Sequence, residues 1–211
     1  MRLTHLLSAL FLLLTLVPSG ATAQNDAHAF VGVNVIPMDR ERVLTDQTVV
    51  VERGIITAIG PASATAIPAG ATRIEARGQY LIPGLADMHA HLLSDDYIAP
   101  EYAPHEFAVM VANGVTTIRN PIGNPLHLTY RKQITDGMLL GPTLYAAGPA
   151  VAGRAYGQVF HGYVVTTPDE ARAAVREIKA AGYDFVKLTL FIERPVYDAI
   201  MATAREENIL V

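Results

Sequence analysis

Two histidines one residue apart, His89 and His91, stand in "PGLADMHAHL" (Pro83 to Leu92), with Asp87 two residues before the first. In an extended strand successive side chains point to opposite faces. Asp87, His89 and His91 therefore share one face, and Met88 and Ala90 the other. Two imidazoles so placed can converge on one cation with little rearrangement, and neutral imidazole suits zinc and its transition-series neighbours. A bare His-x-His pair is a weak signal that ordinary strands also carry. The setting strengthens it, because the motif closes a strand between a β-rich stretch and an alternating β/α stretch.

A second candidate is Lys187 in "YDFVKLTL", one of only three lysines in the chain (Lys132, Lys179, Lys187). Alternation sets Phe185, Lys187 and Thr189 on one face and Val186, Leu188 and Leu190 on the other. The apolar set must pack beneath helices. Lys187 is then either turned into the interior of a barrel, where burial lowers its pKa and leaves a modifiable amine, or snorkelled out of its mouth as an ammonium in water. His161, in "RAYGQVFHGY", sits in a loop where a substrate contact would fall. His28, His105 and His127 read as surface residues.

The elements that must position these groups fall into two rhythms. From Ala29 to about Ile82 the chain predicts short strands with Gly-containing turns, one at Arg53-Gly54 and another around Arg77-Gly78, as in a small sheet or sandwich. After Gly84, strands and helices alternate at about 30-residue spacing, the size of a βαβ unit with parallel strands. Helices are expected around Phe107 and Met110, from Leu126 to Asp136, after Thr167 and from Pro195 to Glu207. Thr167-Pro168-Asp169-Glu170 is a capping box, with Ala171, Ala174, Val175 and Ile178 as the buried stripe behind it. Four β/α units and the start of a fifth strand are expected.

In that order and spacing, "LIPGLADMHAHL", "NGVTTIRN" and "YDFVKL" resemble the amidohydrolase superfamily of metal-dependent hydrolases. The upstream "VNVIPMDRERVLTDQTVVVERGIITAIG" resembles the first part of that family's accessory β-sandwich. The branch most resembled is the imidazolonepropionase-like and Xaa-Pro dipeptidase-like group. The resemblance implies an α/β fold: a partial β-sandwich over residues 24–82, then the N-terminal part of a (β/α)8 TIM-like barrel over residues 83–211. It implies that His89 and His91 bind the more buried metal and that Lys187, carboxylated, bridges two metals. Asp87 and His161 would be supporting or substrate-contacting groups. The cofactor would be a divalent metal, zinc above all, as one or two ions per complete site. A metal-activated hydroxide would cleave an amide-like C–N bond of a small molecule or short peptide.

The sequence also departs from that family. The histidines of the fifth and sixth strands and the aspartate of the eighth, the expected catalytic group, have no counterpart here, so no catalytic residue is assigned. From Pro83 to Val211 there are 129 residues, against ~250 for a whole eight-stranded barrel. Asn120 and Pro121 stand where the family often has an aspartate and a small residue. The expectation is an N-terminal fragment of a longer amidohydrolase, inactive alone. Two alternatives stay open: a cyclic-amide hydrolase of the dihydroorotase or hydantoinase kind, and a non-catalytic truncated metal-binding protein.

Composition narrows the setting. Arg2 and His5 precede an apolar run from Leu6 to Val17, and Ala21-Thr22-Ala23 supplies the small residues of a cleavage site, the layout of a secretory signal. The run is short of the roughly 18 residues that span a bilayer. Removing 23 residues and one arginine from 211 residues at net charge −4 leaves 188 residues at −5. No basic run points to nucleic acid, and without cysteine there are no disulfides and no lipid-attachment site. The reading is an exported, periplasmic or secreted protein, off the membrane once the signal is cleaved, with no bar to oligomer formation. Intact-mass measurement of the exported protein should then give an N-terminus at Gln24; a chain retaining residues 1–23 would contradict this.

Overall fold

The computed structural model describes residues 26–92, 100–155 and 162–211. The expected signal over residues 1–23 and the candidate His161 lie outside the described residues. The chain divides between Pro83 and Gly84 into two compact units.

The first unit is built on one mixed sheet. Strands β1 (Ala27–Val35), β2 (Leu44–Glu52), β3 (Ile55–Pro61) and β4 (Thr72–Glu75) lie in the order β3-β2-β1-β4, and β5 (Tyr80–Leu81) also pairs with β1. The β2–β3 hairpin turns at Arg53-Gly54, where φ is 50° and 77°. Positive φ at both central residues marks the primed turn that matches strand twist. The stretch around Arg77-Gly78 is not a hairpin. Both β4 and β5 run parallel to β1, opposite His28 to Val31 and Asn34 to Val35 respectively. They are one interrupted strand, and the gap faces an irregularity in β1.

That irregularity is a bulge at Gly32, whose φ of +74° suits glycine, with the β1–β2 register shifting between Val31 and Val33 and again between Val33 and Val35. An inserted residue reverses which face the following side chains occupy. Apolar residues at every odd position of β1 therefore do not form one stripe. Ala29 and Val31 pack with Val50, whereas Val33 and Val35 pack with Val49 and Ala76.

The second unit carries a parallel three-stranded sheet in the order β6 (Leu85–Asp87), β7 (Val115–Asn120), β8 (Thr143–Ala146). Its helices are α1 (Ala103–Ala112), α2 (Pro125–Thr135), α3 (Pro168–Ala180) and α4 (Arg194–Glu206), and a short parallel pair joins β9 (Val151–Ala152) to β10 (Tyr163–Val164). Phe107 of α1 meets Tyr130 of α2 edge-on, with ring centroids 5.5 Å apart, in a cluster with Ile118 and Leu144. A second cluster joins Val175 and Ile178 of α3 to Val196 and Ile200 of α4 and to Val186. Each such fully buried side chain contributes roughly 1.5–3 kcal/mol. No helix among the described residues is long and apolar enough to cross a membrane.

Two expectations fail here. "YDFVKLTL" does not form a continuous strand. It makes only isolated parallel bridges, Ala147 with Phe185 and Val151 with Leu188, and Phe185 bridges onward to Leu210. The partner segment contains Gly148-Pro149, and a proline offers no N–H to the ladder, so pairing breaks there and resumes at Val151. The other is His127, expected on the surface, which is 2% exposed; His28 is half-buried.

The capping box of α3 forms as the sequence predicts. Thr167 Oγ1 accepts from the Glu170 N–H at 3.3 Å, and Glu170 Oε2 accepts from the N–H groups of Thr166 and Thr167 at 2.7 and 3.1 Å. The Thr166 backbone, then its hydroxyl, then the Thr167 backbone hold the Glu170 carboxyl below its usual pKa of 4.5. A carboxylate with a lowered folded-state pKa stabilises above the unfolded value, and the gain is lost as pH falls through the folded value. Glu170→Gln should therefore destabilise the chain at neutral pH in urea denaturation. The gap to wild type should close as pH falls below about 4.5, and a gap constant with pH would refute the carboxylate's role.

Candidate metal centre

The site starts from a close approach of two strands. Gly84 precedes β6, and a Cβ there would lie 1.9 Å from Thr116 Oγ1. Only the bare backbone of glycine lets β6 settle against β7. Leu85 N–H then donates to Gly114 O at 2.8 Å, and Asp87 pairs with Ile118. At Asp87 the strand stops, two residues before the first imidazole, and Met88-His89 is a turn.

Three hydrogen bonds shape that turn. The Asp87 carboxylate accepts from His89 N–H at 3.0 Å. Arg119 Nε donates to Met88 O at 2.8 Å, and Ala90 N–H donates to Arg119 O at 3.1 Å. Alternation of faces survives although the strand does not. Ala90 and Leu92 are buried in the cluster with Phe107 and Ile118, while His89 and His91 stay exposed. The two imidazoles meet, with Nε2 to Nε2 3.2 Å and ring centroids 5.1 Å apart. Partial desolvation of the His91 ring, then the neighbouring His89 and the Lys187 cation, lower its pKa below the usual 6.5. Lys187 is thus within electrostatic reach of the pair.

Lys187 is half-buried on a segment tied down from two sides. Asp184 Oδ2 accepts from Arg131 Nη1 of α2 at 2.7 Å and from Ala146 N–H of β8 at 2.8 Å. The Lys187 carbonyl accepts from Val151 N–H at 2.8 Å. Val186 is buried beneath, so the side-chain alternation read from the sequence holds at this position as well.

The structure brings His89 and His91 together and sets Lys187 close enough to act on His91, with Asp87 spent on the turn. Among the described residues no group of three or more His, Cys, Asp or Glu side chains is arranged to hold a metal. A set of two imidazoles and a lysine falls outside that description unless the lysine is itself converted to a carboxylate. A cleft of about 530 Å³ lies elsewhere, lined by Arg131, Thr143, Tyr145 and Asp184. The lining runs along β8 from Thr143 to Tyr145 and includes neither imidazole nor Lys187. Sequence reasoning missed Arg119, whose signal was its place in the "IRN" end of the strand beside the motif. It also missed a buried pair, Asn120 Nδ2 and His127 Nδ1 at 2.9 Å.

No family model matches the chain. It is 30% identical over 142 residues to an adenine deaminase of Ruegeria pomeroyi, covering 65% of this chain and 23% of that one. It is 33% identical over 138 residues to an imidazolonepropionase of Saccharopolyspora erythraea, covering 63% and 32%. A Bifidobacterium longum protein assigned as a prolidase shares the fold with a TM-score of 0.77 and 28% identity, over 87% of this chain and 48% of its own. The architecture defines a mixed α/β protein with an imidazole pair at the ends of parallel strands. These relatives support the amidohydrolase superfamily. The chain spans between 23% and 32% of those two curated relatives and 48% of the solved one.

Gly84→Ala should destabilise the chain by about 1–3 kcal/mol, the usual cost of overpacking. Thr116→Ala in the same chain should recover part of the loss in urea denaturation. Additive losses would mean that the two residues do not share the contact.

Proposed function

We propose that this chain is the metal-binding portion of a hydrolase acting on a C–N bond of a small molecule or short peptide, with His89 and His91 as ligands. One observation carries the reading. Two imidazole nitrogens bound to one tetrahedral zinc at ~2.0–2.1 Å must lie roughly 3.3 Å apart, and His89 Nε2 and His91 Nε2 are 3.2 Å apart. The same separation suits an N–H···N hydrogen bond, which is what an apo pair would make. When bound, a divalent metal supplies an activated water and polarises the scissile carbonyl.

The chain's own residues set the terms for that ion. The lowered pKa of His91 keeps its ring neutral and ligand-competent at neutral pH. Asp87 fixes the backbone N–H of His89 and so the direction of the turn. Lys187 as an ammonium would repel a cation, whereas addition of carbon dioxide to its free amine, with loss of a proton, would turn the positive charge into a negative carbamate able to hold one. We read residues 83–211 as the opening β/α units of a (β/α)8 barrel, supported by the four helices and the share of the Bifidobacterium longum structure covered. Residues 24–82 are read as part of its accessory β-sandwich, and residues 1–23 as the export signal. The likeness to an imidazolonepropionase favours a cyclic amide as the second substrate reading.

The test is metal content after zinc loading and desalting. His89→Ala and His91→Ala should each lose bound metal, and unchanged stoichiometry in both would overturn the reading. Lys187→Ala should lower the stoichiometry or affinity, with partial recovery on adding short carboxylic acids.

A further inference from the structure

We propose that Arg119 is the positioning residue of the imidazole pair, holding the turn that aims His89 and His91 at a shared point. The proposal rests on the metal reading above for its consequence, but its geometry stands on its own.

Asp87 is the last residue of β6 in the ladder, paired with Ile118, so Arg119 faces the place where the chain leaves the sheet. A turn at such a point has lost its strand partners and needs others. Arg119 supplies them on both sides of His89. Its Nε–H donates to Met88 O at 2.8 Å, and its carbonyl accepts from Ala90 N–H at 3.1 Å. The residue before the first imidazole is thus held by the arginine side chain, and the residue after it by the main chain at the same position. The guanidinium is steadied from its other side, with Cζ 5.9 Å from the centroid of the Phe185 ring. Phe185 lies two residues before Lys187, so Arg119 also ties the imidazole turn to the segment that carries the lysine.

The residue type fits the task. A planar guanidinium can stack on an aromatic ring while its Nε–H points sideways at a carbonyl, which an ammonium on a flexible stem cannot do together. Arg119 touches no ligand atom of either imidazole in these contacts. It acts through backbone geometry, as outer partners of metal ligands do; removing such a partner typically costs ten- to a hundredfold in metal affinity.

Two measurements on the 211-residue chain test this. In the metal-free chain, Arg119→Ala should speed hydrogen exchange at the His89 amide at least tenfold, through loss of the Nε bond to Met88 O, while leaving the Ala146 amide unchanged. Unaltered exchange at His89, or equal loosening at Ala146, would overturn the proposal. In competition against a chromogenic chelator, Arg119→Ala should weaken zinc binding ten- to a hundredfold at unchanged stoichiometry, with Arg119→Lys intermediate. Wild-type affinity in Arg119→Ala, alongside loss in His89→Ala, would overturn the positioning role and leave the metal reading standing. A wild-type chain that takes up no zinc would overturn the metal reading, and the exchange arm would still decide whether Arg119 holds the turn.

Discussion

The site depends on the point at which β6 stops being a strand. Two residues further of regular pairing would leave the imidazoles side by side along a pleat, held only by their own rotamers. Instead the backbone leaves the ladder at Asp87 and is caught by one carboxylate and one arginine. Ala90 and Leu92 are pulled into the apolar cluster under α1 and α2, and the two histidines are left facing outward, nitrogen to nitrogen. The hydrophobic effect supplies the anchoring and the polar contacts supply the direction. Neither alone would converge the rings.

Much of this was legible from residue types. The capping box of α3, its buried stripe and the hairpin at Arg53-Gly54 are local signals, and local structure follows them. The alternation of His89, Ala90, His91 and Leu92 also held, because burial of two apolar side chains enforces it with or without a ladder. What was not legible depended on partners distant in sequence. The Gly32 bulge switches the faces of β1, and "VGVNV" alone shows no sign of the switch. The strand around Lys187 is broken by a proline in the segment it pairs with, not by anything of its own. Arg119 could not be linked to Met88 from sequence, since they lie 31 positions apart.

Lys187 and His91 show how the charges constrain one another. The lysine's cation helps to keep the imidazole neutral, which favours a ligand, yet the same cation opposes a metal beside it. A site made of these three groups is consistent only if the lysine loses its positive charge when the metal arrives. The chemistry that accomplishes this is addition of carbon dioxide to the free amine, the displaced proton passing to solvent. Metal binding and modification would then be mutually dependent, each removing the obstacle to the other.

The buried pair behind β7 explains a residue that looked out of place. Asn120 stands where the family resemblance leads one to expect an aspartate, and it is 1% exposed beside the equally buried His127. The Asn124 N–H donates to His127 Nδ1 at 3.3 Å, and a backbone N–H can only donate, so Nδ1 carries no proton. Ile122 N–H donates to Asn120 Oδ1 at 3.1 Å, which turns the amide nitrogen toward His127. The amide therefore meets the imidazole lone pair with an N–H. An aspartate at 120 would set a carboxylate oxygen against that lone pair, and the pairing would then require a proton on Nδ1 and the loss of the Asn124 contact. Asparagine at 120 and a neutral histidine at 127 are thus a matched choice. Together they fix the start of α2 against the end of the strand that carries Arg119.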